Sequence, residues 1–320
     1  MANATVVALG GNALIRAHEH GTYDEQLRNV KVTSAALAEL VKAGHRLVIT
    51  HGNGPQVGKI LIQQESAGDL VSPMPLDVCG AETQGQIGYL LQQGLTNALN
   101  RANIPKAVVT ITTQTVIDAN SPAFQKPTKP IGLFYDETTA EWIRENKGWT
   151  MTEDSGRGYR RLVASPPPID IVEKVAIKLL VESGIIVIAS GGGGIPVERD
   201  AEGQLRGLEA VIDKDRAAAL LAVLVEAQQM LILTDADRVY LNYGKPDQIG
   251  LDQITVSQAQ EYYSQGHFPP GSMGPKIEGA IYFLTHGGKR VIITRPELII
   301  AALDGKTGTH IVADTASIGS

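Results

Sequence analysis

Residues 5–13 read Thr5-Val6-Val7-Ala8-Leu9-Gly10-Gly11-Asn12-Ala13: a short apolar run, then paired glycines. A continuous apolar run of that length suits a strand buried on both faces. The pattern returns twice. Residues 46–50 lead into Gly52-Asn53-Gly54-Pro55, and residues 185–190 lead into Gly191-Gly192-Gly193-Gly194-Ile195-Pro196. Further strands are expected at 106–112, 230–234 and 290–294. Helical periodicity fills the intervals. Residues 24–43 carry Leu27, Val30, Leu37, Leu40 and Val41 near one stripe. Helices are also expected at 56–66, 77–102, 170–183, 213–227 and 275–286, and Pro296 opens one over 296–303. Such alternation predicts a three-layer α/β/α fold around a doubly wound, mainly parallel sheet.

Composition narrows the function. Of 320 residues, 43% are hydrophobic but only 5% aromatic, so Ala, Val, Ile and Leu must fill the core. A net charge of -6 argues against a diffuse basic surface, so neither nucleic acid nor a membrane surface is an expected partner. The single cysteine, Cys79, permits no intrachain disulfide and suits a reducing compartment. It lies at an apolar helix start, where packing is its expected role. The N-terminal apolar run lacks a basic lead-in and meets glycines rather than a cleavage site. The apolar run at 217–225 is far short of the roughly 20 residues a membrane span needs. A cytoplasmic location is expected.

Residues 117–168 break the rhythm. They are richer in Pro, Thr, Trp, Glu and Arg, and include Pro127-Thr128-Lys129-Pro130-Ile131-Gly132. A structureless loop of that length does not belong in a compact domain, so a small protruding subdomain is expected there. The tail, 313–320, is short and polar.

In an open parallel sheet, ligands bind at the carboxyl ends of the strands. Three glycine loops fall at such ends, and a fourth, Gly271-Ser272-Met273-Gly274-Pro275-Lys276, precedes a helix. Glycine lets backbone N–H groups approach an anion, and a following helix adds its free amides. Tight strand–helix turns would need glycines too. Neither a P-loop nor a dinucleotide fingerprint is present: Pro275 separates Gly274 from Lys276, and Gly52, Gly54 and Gly58 miss the required spacing by one residue.

Phosphoryl transfer asks for positioning and for cations around the equatorial oxygens. Lys129 lies beside two prolines, Lys214 at a helix start in Ile212-Asp213-Lys214-Asp215, and Lys276 after the last glycine loop. Each is a candidate catalytic cation; each would also pass as a solvated lysine. Asp213 suits a helix cap, and Asp215 is placed to orient Lys214 and Lys276. Asp235 and Asp237 follow a strand, where they suit ribose, Mg²⁺ or a turn. Arg157, Arg160 and Arg161 suit anion guidance or a solvated face. His51 precedes the Gly52 loop and is placed to hydrogen-bond within it. The histidines show no metal-ligand spacing, and no protein metal site is expected.

With these motifs the chain resembles the carbamate kinases of the amino-acid kinase superfamily. The matching stretches are Ala8 to Leu14, Thr50 to Gly58, Pro127 to Gly132, Gly158-Tyr159-Arg160-Arg161, Ala189 to Pro196, Val211 to Asp215, Leu233-Thr234-Asp235 and Gly266 to Lys276. Ala236 stands where Val is common. The resemblance implies reversible transfer from ATP to carbamate, giving ADP and carbamoyl phosphate, with Mg²⁺. It implies an N-terminal lobe, 1–212, for carbamate and the phosphoryl group, with the protruding subdomain at about 117–168. A C-terminal lobe, 213–312, would take the nucleotide. It assigns Lys129, Lys214 and Lys276 to the phosphoryl group and Asp215 to organising lysines. Gly10, Gly11, Asn12, Gly52, Asn53, Gly54, Gly191 and Gly192 become anion loops. Asp235, Tyr240, Met273 and Gly274 fall near the nucleotide, together with Lys214 and Lys276. A homodimer is implied. Two alternatives stay open: a sister kinase for another small carboxylate or phosphonate, and a non-catalytic sensor of nucleotide or carbamoyl phosphate.

Overall fold

The structure is a computed structural model describing residues 4–11, 14–16, 19–68, 70–154, 156 and 158–314, apart from the Leu133 side chain. An eight-stranded sheet forms its centre. Its order is Gln253–Thr255, Thr309–Val312, Arg290–Thr294, Gln229–Leu233, Ala4–Leu9, Arg46–His51, Ile186–Ile188 and Val108–Thr110. The last six named are mutually parallel. Thr309–Val312 runs antiparallel to Arg290–Thr294.

The first strand explains the layering. Its side chains alternate across the sheet. Ala4, Val6 and Ala8 join one core with Ala218, Leu221, Ile277 and Ala280, from helices Lys214–Leu224 and Met273–Thr285. Val7 and Leu9 join another with Leu37, Leu40, Ile87 and Leu91, from helices Tyr23–Lys42 and Leu76–Arg101. One apolar strand thus feeds two cores, which is the expected three-layer architecture.

Chain order sets the site. From Ala4–Leu9 the chain first builds Arg46–His51 on one side and later returns to build Gln229–Leu233 on the other. The topological switch point lies between Ala4–Leu9 and Gln229–Leu233. Leu9 is in register with both His51 and Leu233, so the carboxyl ends are level.

Several elements differ from expectation. The helix expected at 170–183 begins only at Lys174, because Asp170–Ile171 pairs antiparallel with Gln114–Val116. Glu173 secures that turn by accepting from the Gln114 N–H and side-chain amide, at 2.8 and 2.9 Å. The strand expected at 106–112 shortens to Val108–Thr110. Short strands at Gln114–Val116, Ile195–Arg199 and Leu205–Gly207 form a second sheet with Asp170–Ile171.

Within 117–168, Lys129–Tyr135, Tyr159–Val163 and Met151–Glu153 form a separate antiparallel sheet, in that spatial order. Helix Glu137–Lys147 covers it, sharing a small core of Ala140, Ile143 and Met151. This sheet meets the main body at two glycines. A Cβ on Gly58, in helix Gly54–Ser66, would lie 2.2 Å from the Gly132 Cα. Gly132 itself has φ +79°, which favours glycine. Within the tail, residues 315–320 lie outside the described residues.

Candidate functional site

Two aspartates gather three lysines. Asp213 caps helix Lys214–Leu224: its Oδ1 accepts from the N–H groups of Asp215 and Arg216, at 2.9 and 3.3 Å. Its Oδ2 accepts from Lys129 Nζ at 2.7 Å. Asp215 takes the other two ammonium groups, Lys214 on Oδ1 at 2.6 Å and Lys276 on Oδ2 at 3.2 Å. Lys276 also donates to the Ser272 carbonyl at 2.9 Å. Lysines 129, 214 and 276 therefore converge, although 147 positions separate the first from the last.

Burial makes the cluster electrostatically demanding. Both aspartates are buried, and burial alone would raise their carboxyls. The charges of Lys129 and Lys214 outweigh it at Asp213, and those of Lys214 and Lys276 at Asp215, so both stay below the ordinary carboxylate range. Burial, then the neighbouring Lys214 charge, lowers Lys276, against the pull of Asp215. With three ammonium groups on two carboxylates, the cluster retains positive charge for an anion.

The glycine loops border this cluster. Gly10 donates its N–H to the Leu233 carbonyl at 2.9 Å, and a Cβ there would lie 2.8 Å from that oxygen. Gly10 therefore serves close approach across the switch point, while the Gly11 N–H has no acceptor among the described residues. Gly52 donates to the Leu9 carbonyl at 3.2 Å. A Cβ on Gly52 would lie 3.2 Å from Lys214 Cδ and 3.7 Å from the Gly11 nitrogen, which places Lys214 over both loops. Gly54 opens helix Gly54–Ser66, and Asn53 provides no side-chain cap there. That terminus keeps amides available for an anion. Gly191 and Gly192 pack against the same loop: a Cβ would lie 2.4 Å from His51 Nε2 or 2.2 Å from Asn53 Nδ2, respectively. Asn12 lies outside the described residues.

The nucleotide candidates are more dispersed. Asp235 follows strand Gln229–Leu233, its carboxyl raised by burial against the lowering charges of Lys276 and Arg295. It lines a groove of about 520 Å³ with Gly10, Thr234 and Arg295. Tyr240 donates to Asp237 at 2.8 Å. Met273 and Gly274 open the helix that carries Lys276, but the Gly274 N–H is held by the Pro269 carbonyl at 2.8 Å. Arg160 bonds Asp154 and the Gly132 carbonyl, at 3.0 and 3.2 Å, and Arg161 lies over the Trp149 ring at 4.1 Å. Arg160 is engaged within its own small subdomain, whereas Arg161 also reaches Glu209 of the main body at 3.8 Å. Arg157 lies outside the described residues.

Residues with no sequence signal brace the loops. Thr83 and Gln84 are buried in helix Leu76–Arg101. Thr83 accepts from Asn53 at 2.8 Å. Gln84 donates to the carbonyls of Gly191 and Thr113, at 3.0 and 3.1 Å, and accepts from the Thr113 N–H at 2.8 Å. His51 does bond within its loop, with Nδ1 3.0 Å from the Gly52 carbonyl, and burial pushes its imidazole down to about 4. Cys79 is buried and its thiol is pushed up to about 11 by burial, then by Glu82 and Asp77, consistent with a packing role. Among the described residues, no group of three or more His, Cys, Asp or Glu side chains could hold a metal ion.

Residues 3–295 match the amino acid kinase family. The chain is 51% identical over 313 residues to a carbamate kinase of Pyrococcus horikoshii, covering 97% of this chain and 99% of that one. Its fold is similar to that of the Giardia lamblia carbamate kinase bound to citric acid, with a TM-score of 0.92, 42% identity, and coverage of 98% and 99%. The same organism's carbamate kinase bound to AMP-PNP gives a TM-score of 0.90, 44% identity, and coverage of 98% and 99%.

Proposed function

The chain belongs to the amino acid kinase family and, within it, to the carbamate kinases, and from that premise we propose that its lysine–aspartate cluster carries the phosphoryl group between ATP and carbamate. The observation that supports this is the sharing of Asp213 and Asp215 by Lys129, Lys214 and Lys276.

Carbamate is an anion, so its oxygen attacks the γ-phosphorus without a general base. The new O–P bond forms as the bond to the ADP oxygen breaks. Reversal returns the phosphoryl group from carbamoyl phosphate to ADP. Bringing two anions together is the difficulty, and fixed ammonium groups and amides offset it without reorganising. Lys214, lying over Gly52 and Gly11, faces the transferred group. Lys276 approaches from the nucleotide side and Lys129 from the protruding subdomain. Asp215 orients two of them and Asp213 the third. Gly11, Gly52, Asn53, Gly54, Gly191 and Gly192 supply the anion loops, with Asn12. Met273, Gly274, Asp235 and Tyr240 flank the nucleotide.

Mg²⁺ enters as part of the nucleotide substrate. Asp213 and Asp215 are already committed to lysines, which fits a metal held by phosphate oxygens and water rather than by a carboxylate cage. Carbamate would bind the lobe formed by 1–212 and nucleotide that formed by 213–312. A cytoplasmic homodimer completes the proposal. Formation of ATP from ADP, Mg²⁺ and carbamoyl phosphate by the purified protein tests it; no ATP above background would reject it.

A further inference from the structure

Carbamate presents a problem that phosphate binding does not. Its carboxylate needs donors, but its amino group is itself a donor and needs an acceptor. Around the candidate site, the lysine ammonium groups and loop amides are all donors. Asn53 supplies a side-chain carbonyl.

Which way the Asn53 amide faces is fixed by a short relay. The Thr83 hydroxyl donates its one proton to the Gly80 carbonyl at 2.6 Å. Its oxygen then has only lone pairs to offer, and Asn53 Nδ2 donates to it at 2.8 Å. The reverse amide orientation would set two acceptors face to face. Thr83 is fully buried and Asn53 is 6% exposed, so water does not readily substitute for either partner. Gly192 packs closely against the amide: a Cβ there would lie 2.2 Å from Nδ2 and 2.7 Å from Oδ1, and its φ of +66° favours glycine. Among the described residues, Asn53 Oδ1 has no protein donor. It lies between the uncapped start of helix Gly54–Ser66 and the Gly191 loop.

Resting on the function proposed above, we infer that Asn53 Oδ1 accepts from the amino group of carbamate, and that Thr83 is the positioning residue that keeps it turned that way. An acceptor set among anion-binding donors stabilises a substrate only where that substrate brings an N–H. It gives nothing to acetate, which carries a methyl group there. Sites built to hydrogen-bond a substrate N–H or O–H discriminate strongly against analogues lacking it.

Carbamoyl phosphate and acetyl phosphate, compared as phosphoryl donors to ADP, differ at that group. The wild-type protein is expected to favour carbamoyl phosphate by about a hundredfold or more in kcat/KM. Thr83→Val, near in shape but without an acceptor, should lower kcat/KM for carbamoyl phosphate by about tenfold while changing that for acetyl phosphate less than about twofold. Thr83→Ser should keep the wild-type ratio. Equal loss with both donors, an unchanged ratio in Thr83→Val, or a wild-type protein that uses both donors alike would overturn the inference. The last comparison needs no variant to fold. A wild-type protein inactive with carbamoyl phosphate would instead remove the underlying function.

Discussion

Gly279 stands so close to the Asp215 carbonyl that a Cβ at 279 would lie 2.9 Å from that oxygen. Helices Lys214–Leu224 and Met273–Thr285 therefore touch backbone to backbone at the site. This approach lets Lys276 reach Asp215 from one turn earlier in its helix. Gly279→Ala should push the helices apart by a few tenths of an ångström and loosen the Lys276–Asp215 bond. Steady-state kinetics should show kcat reduced about tenfold, since catalytic groups tolerate little misplacement, with a modest fall in Tm. Unchanged kcat would mean that the helix approach is not needed for catalysis.

Asp215 is the shared anchor of two ammonium groups, and its charge helps keep Lys276 protonated against burial. Asp215→Asn removes that charge at nearly constant shape. The Lys276 ammonium should then lose its proton at lower pH, and the alkaline limb of the pH–kcat profile should shift down with it. A general loss of activity with the limb unmoved would assign Asp215 a structural role only.

His51 links stability to pH. Its ordinary value is 6.5, and in the folded protein burial lowers it to about 4. Between those values the unfolded chain binds more protons. The contribution is therefore fully present above pH 6.5 and is lost as pH falls toward 4. On the order of 2 kcal/mol should be gone by pH 5. Urea denaturation at pH 7 and pH 5 measures it: His51→Gln should lose less stability between the two than the wild-type protein does. Equal losses would contradict the assignment.

Arg160 is held by Asp154, the Gly132 carbonyl and the face of Phe134. Its removal should lower Tm, by loosening the three-stranded sheet, more than it raises KM for carbamoyl phosphate. A large KM effect at unchanged Tm would return Arg160 to anion guidance.

Much of this was legible in the sequence because it rests on local pattern. Apolar runs ending in glycine located three of the six parallel strands and short apolar runs without glycine the other three; Thr22 with Glu25 closes a capping box on the helix expected at 24–43. Lysines 129, 214 and 276 were visible as lysines on constrained loops or helix starts. Other features were not legible. Strands of two or three residues, such as Asp170–Ile171, are too short to show a period of two. Thr83 and Gln84 look like ordinary polar residues in a long helix; only the fold reveals that they face the buried loops. Gly279 carries no turn signal, because its role is the approach of another helix. Arg160 looked like a free cation because its partners come together only through strand pairing.

In the proposed mechanism, Lys129, Lys214 and Lys276 act together on one migrating phosphoryl group. The direct measurement is ATP formation from ADP, Mg²⁺ and carbamoyl phosphate by the wild-type protein and by Lys129→Ala, Lys214→Ala and Lys276→Ala. The wild-type protein should turn over, and each variant should lose about a hundredfold or more in kcat. Near-normal turnover in all three variants would contradict the account.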